Sequence, residues 1–314
     1  MSSFSIAAMH KWLILVCLPL ALLCSPRCAC AQFTEAHNYD NTPVGVNQLE
    51  LAYAHVRANA SLDTSLVVEG ATFNLNQGSI SYTRYSGLFH RLGWVQATVP
   101  IAGLDGSVSG TLVHGSVTGT GDSSYTLATL LKGGPALSAE QFENYKPTTS
   151  LGVSLSMTAP TGLYRSDKVL NLGSDRWSFK PEISLSHPFG SEQKWQLDAY
   201  GNVYFFTDNT SYHRTEILRQ EPLPGIEGHM SYSFTDNIWA SVDTRYSFRG
   251  ATLVNGQNED NSQQNFILGS EVNVSLSRKN SLVFEFGKAL VHHNGPASTG
   301  FAVKYTYAWG KGYQ

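Results

Sequence analysis

The C-terminal stretch "FAVKYTYAWG" (Phe301–Gly310) alternates between two faces for ten residues. One face carries Phe, Val, Tyr, Tyr and Trp, while the other carries only small, polar or charged residues. Successive side chains of a β-strand point to opposite faces, so this pattern predicts a strand with one apolar face. Strands of globular proteins are about 5–6 residues long, whereas a tilted strand that crosses a bilayer needs about 9–11. The length therefore favours a membrane-spanning strand.

The same alternation recurs along the chain and predicts about twelve strands, near residues 46–57, 78–88, 92–101, 122–132, 151–157, 177–186, 195–205, 226–234, 238–249, 266–275, 282–287 and 301–310. Short links alternate with long polar links, as in barrels with one rim in the periplasm and the other outside. The long links lie near residues 58–77, 102–121, 159–175, 207–223 and 250–262. We predict an all-β fold, an antiparallel transmembrane β-barrel of the bacterial outer-membrane type. A soluble two-sheet sandwich is the alternative.

Two local features refine this prediction. Ser138 followed by Gln141 three positions later has the spacing of a capping box, which predicts a short helix in the link 135–147. Pro181 falls on the apolar face of a predicted strand. Because proline cannot donate a hydrogen bond to a neighbouring strand, we expect weakened pairing or a bulge there.

The N-terminus has the layout of an export signal. Lys11 precedes a twelve-residue apolar run, which is too short to span a bilayer as a helix, and Ala29-Cys30-Ala31 fits the A-x-A cleavage rule. We predict a cleaved signal peptide over 1–31, an N-terminal extension over 32–45 and a transmembrane β-barrel over 46–314, exported to the Gram-negative outer membrane. Lipidation at Cys24 is a weaker alternative, because the preceding Leu23 is not small.

Composition excludes several function classes. All four cysteines lie within residues 17–30, so residues 32–314 have no disulfide, thiolate metal site or cysteine nucleophile. The formal charge of the chain is −3, and residues 1–31 carry two positive and no acidic groups, which leaves about −5 for the rest. Nucleic-acid binding requires a basic surface and is not expected. The expected partners are outer-membrane lipid, a small-molecule solute and the barrel-assembly machinery during biogenesis.

The segment "TAPTGLY…NLGSDRWSFKP" resembles the outer-membrane family named for the meta-pathway of phenol degradation. The matching residues are Pro160, Thr161, Gly162, Tyr164, Asn171, Gly173, Arg176, Trp177 and Pro181. The stretch 81–100 and the closing "KYTYAW" are also similar to that family. The resemblance implies a Gram-negative outer-membrane barrel that passes aromatic or other hydrophobic compounds.

Charged residues on the polar faces of the predicted strands are the pore-lining candidates. They are Lys180, Glu182, Asp198, Glu227, Asp243, Arg245, Arg249, Glu271, Glu285 and Lys304. Such groups form either a charged constriction that selects solutes or a network of internal salt bridges. Twelve strands lie between the eight that side chains fill and the roughly sixteen that leave an open channel.

Enzyme and metal readings have weaker support. His114-Gly115-Ser116 and His229-Met230-Ser231 match the His-x-Ser pairs of outer-membrane lipid hydrolases, but neither is followed by Asn-Gly. His292 and His293 would point to opposite faces of a strand and could not share a metal ion. We predict a channel or facilitator that works by passive diffusion, without enzymatic activity, cofactor or metal. A non-conducting structural barrel and an outer-membrane lipid acyl hydrolase are the alternatives.

Overall fold

The computed structural model describes residues 34–59, 71–108 and 114–310. The predicted signal peptide lies outside the described residues. Among the described residues, no helix is long and apolar enough to cross a bilayer.

Twelve long antiparallel strands close into a barrel, which confirms the predicted fold and rules out the sandwich. The barrel strands are β1 (Val46–Ala58), β2 (Ala71–Leu88), β3 (Arg91–Val108), β5 (Ser123–Lys132), β6 (Ser150–Ala159), β7 (Ser178–Phe189), β8 (Trp195–Phe206), β11 (Leu223–Thr235), β12 (Ile238–Arg249), β15 (Gln263–Ser277), β16 (Asn280–His293) and β17 (Ser298–Gly310). β1 pairs with β17 over its whole length, which closes the ring.

The remaining elements lie in the links between barrel strands. They are β4 (His114–Thr120), β9 (Asn209–Tyr212), β10 (Glu216–Gln220), β13 (Thr252–Val254), β14 (Gln257–Asn258), a 3-10 turn (Ser191–Gln193) and helix α1 (Ala139–Phe142). β9, β10, β13 and β14 form a separate four-stranded sheet, and β4 pairs with β3. The capping box of Ser138 and Gln141 at the start of α1 is confirmed.

The predicted long links 58–77 and 102–121 are partly wrong. β2 and β3 each extend over eighteen residues and pair from Ala71↔Val108 to Leu88↔Arg91. The alternation of apolar and polar residues does not predict strands there, because the inward-facing side chains are apolar. Phe73, Leu75 and Leu104 point into the barrel and form a buried apolar cluster with Ala102. The hairpin therefore continues where the sequence predicts loops.

The distribution of polar and apolar side chains is that of a barrel in lipid. Outward-facing residues are large and apolar, such as Ile183, which is 58% exposed. Charged residues that point inward are buried, and Asp198 is 0% exposed. Because charged groups are rarely buried in water-soluble proteins, this inverted arrangement indicates that the outer face contacts lipid and the lumen is polar.

Pro181 weakens one seam of the barrel, as predicted. β7 and β8 pair at Phe179↔Phe205 and again at Glu182↔Asn202, and the residues between these two pairs are unpaired across this seam. The register is the same on both sides of the gap, so no bulge forms. The neighbouring seam with β6 is continuous through Leu155↔Pro181. The gap lies on the side where the absent N–H of proline would have donated.

Two rims can be distinguished. The links 89–90, 133–149, 190–194, 236–237 and 278–279 form the short-turn rim, where β1 begins and β17 ends. The links 160–177, 207–222 and 250–262 lie at the opposite end, the long-loop rim. Residues 34–45 precede β1, so their C-terminal end lies at the short-turn rim.

Candidate functional site

Residues 34–45 lie inside the barrel, and we call this segment the plug. Its base is fixed at the short-turn rim, where the Val44 N–H donates to the Leu137 carbonyl (2.9 Å) and the Gly45 N–H to the Tyr85 carbonyl (3.0 Å). From there it rises into the lumen and contacts side chains of eight strands, β3, β6, β7, β8, β11, β12, β15 and β17. The sequence predicts an extension at these residues but not its position.

Backbone N–H groups of the plug bind carboxylates of the barrel wall. Thr34 donates to Glu227 (2.7 Å), Ala36 donates to Glu271 (3.2 Å) and His37 donates to Asp198 (3.2 Å). Hydrogen bonds to charged groups are stronger than those between neutral groups. The wall therefore holds the main chain of the plug through acidic side chains on three different strands.

Glu35 of the plug takes part in an ion-pair cluster with Glu285 and Lys304. The Lys304 ammonium contacts both carboxylates. The carboxylates of Glu35, Glu271 and Glu285 lie within 4.8 Å of one another. Because Lys304 neutralises part of this charge, the cluster acts as an internal ion pair that ties the plug to β16 and β17.

Tyr39 is the most deeply packed residue of the plug, with 1% of its surface exposed. Its hydroxyl lies 2.8 Å from Ser154 Oγ and donates to Glu182 (2.9 Å). Its ring lies 5.4 Å from Trp94 and 5.3 Å from Tyr200. Burial and the nearby Glu182 carboxylate raise the pKa of Tyr39, which keeps the phenol protonated as a donor.

The ring of Tyr39 also occupies space that a glycine leaves free. A Cβ atom at Gly152 on β6 would lie 2.6 Å from the Tyr39 ring. Glycine is therefore required at this position for the plug to seat.

His37 lies between the plug and the wall. Its Nδ1 is 2.8 Å from Asp40, its Nε2 is 2.8 Å from Ser231 Oγ, and its ring packs against Trp239 at 4.4 Å. Burial lowers the pKa of His37, but Asp40, Asp198 and Asp243 outweigh it, so the pKa is raised overall. The imidazolium form is therefore favoured when the plug is seated.

Asp40, His37 and Ser231 have the hydrogen-bond order of a serine-hydrolase triad, but the surroundings do not suit that chemistry. Ser231 is 2% exposed and does not line the lumen cavity. A general base must be unprotonated, whereas the carboxylates around His37 favour its charged form. The arrangement fits a latch between the plug and β11.

The two His-x-Ser pairs have different locations. His229 is buried in the lumen, where its Nδ1 lies 2.8 Å from Asp243, and Ser231 contacts the plug. His114 and Ser116 are exposed on β4, at the long-loop rim. His292 and His293 are exposed near the end of β16. His229 and Ser231 therefore face the lumen, whereas an acyl hydrolase would meet its substrate on the lipid side.

Nine of the ten pore-lining candidates lie on lumen-facing positions, where most contact the plug or one another. Lys180 donates to Glu182 (3.0 Å) and to Thr34 (3.1 Å), and Arg245 lies 3.8 Å from Glu227. Arg249 is the tenth candidate. It lies at the last position of β12, opposite Gln263 at the long-loop rim, where it is exposed and has φ 68°.

A cavity of about 800 Å³ remains beside the plug. At the short-turn end it is lined by Thr42, Gln48 and Tyr85, and at the long-loop end by Asp122 and Leu172. It therefore extends along most of the barrel height. Glu50 also lines it, although the sequence patterns did not single this residue out.

The family motif of the link 160–177 builds a folded loop over the long-loop end of this cavity. Asp122, just before β5, accepts hydrogen bonds from the Gly162 N–H (2.8 Å) and from the Ser174 N–H (2.8 Å) and hydroxyl (2.7 Å). A Cβ at Gly162 would lie 2.7 Å from the Gly121 backbone, and one at Gly173 would lie 2.8 Å from the Gly162 backbone. Both glycines permit close backbone approach.

Other motif residues brace the same loop. Ser123 N–H donates to the Thr161 hydroxyl (2.9 Å), and Asn171 bonds the backbone of Arg165 and Lys168. Each remaining member also has a structural position: Pro160 follows β6, Tyr164 accepts from Asn209 (3.0 Å), Arg176 is buried and donates to Gln220 (2.7 Å), Trp177 donates its N–H to Thr207 (3.0 Å), and Pro181 lies in β7. The motif thus serves loop architecture.

Comparison with known proteins matches residues 57–305 to the family described as "Putative MetA-pathway of phenol degradation". Among solved structures, an outer membrane channel from Pseudomonas putida F1 is similar, with TM-score 0.76 and 20% identity over 88% of this chain and 100% of that chain. The β domain of the Bordetella autotransporter BrkA has TM-score 0.50 and 10% identity, over 85% and 100% of the two chains.

The transport unit of the Escherichia coli autotransporter AIDA-I has TM-score 0.52 and 8% identity, over 89% and 94% of the two chains. At these identities the similarity establishes the barrel fold alone. No curated protein sequence matches the chain.

Proposed function

From the premise that this chain belongs to the MetA-pathway of phenol degradation family, we propose that it is a plugged diffusion channel of the Gram-negative outer membrane. The observation that carries the proposal is the cavity of about 800 Å³, which extends along the lumen between the plug and the barrel wall. The similar Pseudomonas putida protein is an outer membrane channel, which supports this assignment. The family description suggests aromatic or other hydrophobic compounds as solutes.

The plug is held in a way that permits release. Its contacts above the base are hydrogen bonds, one ion-pair cluster and the packing of Tyr39. Each hydrogen bond is worth on the order of 1–3 kcal/mol and the packing of Tyr39 about 3–5 kcal/mol, so breaking several contacts at once gives a rarely populated open state. Conduction would follow partial withdrawal of the plug, and solutes would diffuse down their gradient without any chemical step.

The experiment compares the wild-type chain (residues 32–314) with a loosened-plug variant that carries Glu35→Ala, His37→Ala and Tyr39→Ala. Both are refolded into planar bilayers for single-channel recording, and heat-modifiable gel migration verifies folding. We expect brief openings in the wild-type protein and a higher open probability in the variant. Two folded but silent barrels would refute the channel function.

A non-conducting structural barrel is the second candidate, because the plug occupies part of the lumen and contacts side chains of eight strands. It predicts that the loosened-plug variant loses thermal stability without gaining conductance. The same recordings therefore separate the two functions.

A further inference from the structure

The lumen wall has two chemically different halves. The cavity-lining residues of β2, β3, β5 and β6 include no charged side chain. They are mostly serine, threonine and glutamine, among them Gln77, Ser81, Thr98, Thr126 and Ser156. We call this surface the neutral wall. The charged lumen residues lie on the other strands, from β7 round to β1.

The plug makes most of its polar side-chain contacts with the charged half. Its polar contacts with strand side chains involve Glu227, Glu271, Asp198, Lys180 and Lys304, all outside the neutral wall. Tyr39 is the exception, because its hydroxyl contacts Ser154 on β6 and its ring packs against Trp94 on β3. Four of the charges that line the cavity on this side form ion pairs, Lys304 with Glu285 and Lys180 with Glu182.

The neutral wall has hydrogen-bonding capacity to spare. Ser81 lies 2.9 Å from Thr98 and Thr126 lies 2.8 Å from Ser156, each pair joining neighbouring strands. A hydroxyl has one donor and two acceptor lone pairs, so each pair can still bond a hydroxylated solute in either sense. A charged solute would lose hydration here without meeting an opposite charge, which is unfavourable.

We infer that solutes move along the neutral wall and that the channel takes uncharged, hydroxylated small molecules, whereas the charged lumen residues serve to hold the plug. This inference rests on the proposed channel function and specifies its solute class. A cavity of about 800 Å³ accommodates a molecule the size of a monosaccharide or a single substituted ring.

The test measures uptake into proteoliposomes of xylitol and of xylonate, which have nearly the same size but differ by one negative charge. Both cross lipid poorly, so uptake reports the protein. The wild-type chain and the loosened-plug variant are compared at pH 7. We expect xylitol uptake to exceed xylonate uptake at least about tenfold in both proteins, and the ratio to persist when the plug is loosened, because the neutral wall is unchanged.

Two variants address the wall directly. Thr126→Val with Ser156→Ala removes a hydroxyl pair at nearly constant volume, and we expect xylitol uptake to fall about fivefold, equivalent to one net hydrogen bond of about 1 kcal/mol. Thr126→Lys places a positive charge on the wall and should raise xylonate uptake relative to xylitol. Leu127→Val, on the lipid face of the same strand, is the matched control.

The outcomes separate this inference from the function on which it rests. Selective xylitol uptake that responds to the wall variants supports both. Equal or faster xylonate uptake, or wall variants without effect on the ratio, overturns the inference and leaves the channel function intact. Folded barrels that pass neither solute, with the plug seated or loosened, overturn both.

Discussion

Removal of the Tyr39 side chain should release the plug. Tyr39 is buried, packs against Trp94 and Tyr200, and donates to Glu182. Truncation of a buried aromatic residue to alanine costs about 3–5 kcal/mol. If most of this free energy stabilises the seated plug, Tyr39→Ala raises the population of the released state by about 150-fold or more.

Tyr39→Phe separates packing from hydrogen bonding. The ring contacts remain and only the hydroxyl is lost, and a hydrogen bond to a charged partner contributes about 1.5–3 kcal/mol. The released population should therefore rise by roughly 10- to 150-fold, and by less than with alanine because the ring contacts are kept. Gly152→Ala attacks the same contact from the barrel side, because its Cβ would collide with the Tyr39 ring.

The assay uses the absence of cysteine from residues 32–314. Ala36→Cys places one thiol at a buried position of the plug, and its labelling rate by a maleimide reports release when reseating is fast relative to labelling. Labelling should be faster in the order wild type, Tyr39→Phe, Tyr39→Ala. Tyr125→Ala, at a lipid-facing tyrosine, is the control. Equal labelling rates in all backgrounds would show that Tyr39 does not hold the plug.

Three further predictions concern the latch, the loop and the proline seam. The raised pKa of His37 means that its charged form stabilises the seated plug at low pH and that this stabilisation is lost as pH rises through the raised value. Maleimide reacts with the thiolate, whose fraction rises with pH, so each labelling rate is divided by that of the same thiol in the unfolded chain at that pH. The normalised rate for Ala36→Cys should be higher at pH 8.5 than at pH 5.5, and His37→Gln should abolish this difference. Asp122→Ala removes three hydrogen bonds to the link 160–177 and should make that loop sensitive to protease while the barrel keeps its heat-modifiable migration. Pro181→Val supplies the missing N–H and should raise the free energy of unfolding by about 1 kcal/mol in denaturant titrations. An unchanged free energy of unfolding would show that proline costs the β7–β8 pairing no hydrogen bond.

The sequence carries enough information for the barrel because each strand crosses two environments and must alternate. The pattern of Phe301–Gly310 therefore places Lys304 in the lumen correctly. The same rule fails in β2 and β3, where apolar residues turn inward beyond the lipid-facing band. Alternation reports the environment of a strand, and it loses meaning where that environment changes.

The plug has no such periodicity, since its residues contact eight strands that are far apart in the sequence. The sequence feature that indicates the plug is the excess of acidic over basic residues among the lumen-facing candidates. The lumen-facing candidates include six acids, Glu182, Asp198, Glu227, Asp243, Glu271 and Glu285, but with Arg249 at the long-loop rim only three bases, Lys180, Arg245 and Lys304. Buried carboxylates require donors, so the surplus predicts a missing source of N–H groups. Thr34, Ala36 and His37 supply them to Glu227, Glu271 and Asp198. Release of the plug exposes these carboxylates to the lumen, and their hydration by entering water offsets the lost bonds, which makes a reversible plug energetically feasible.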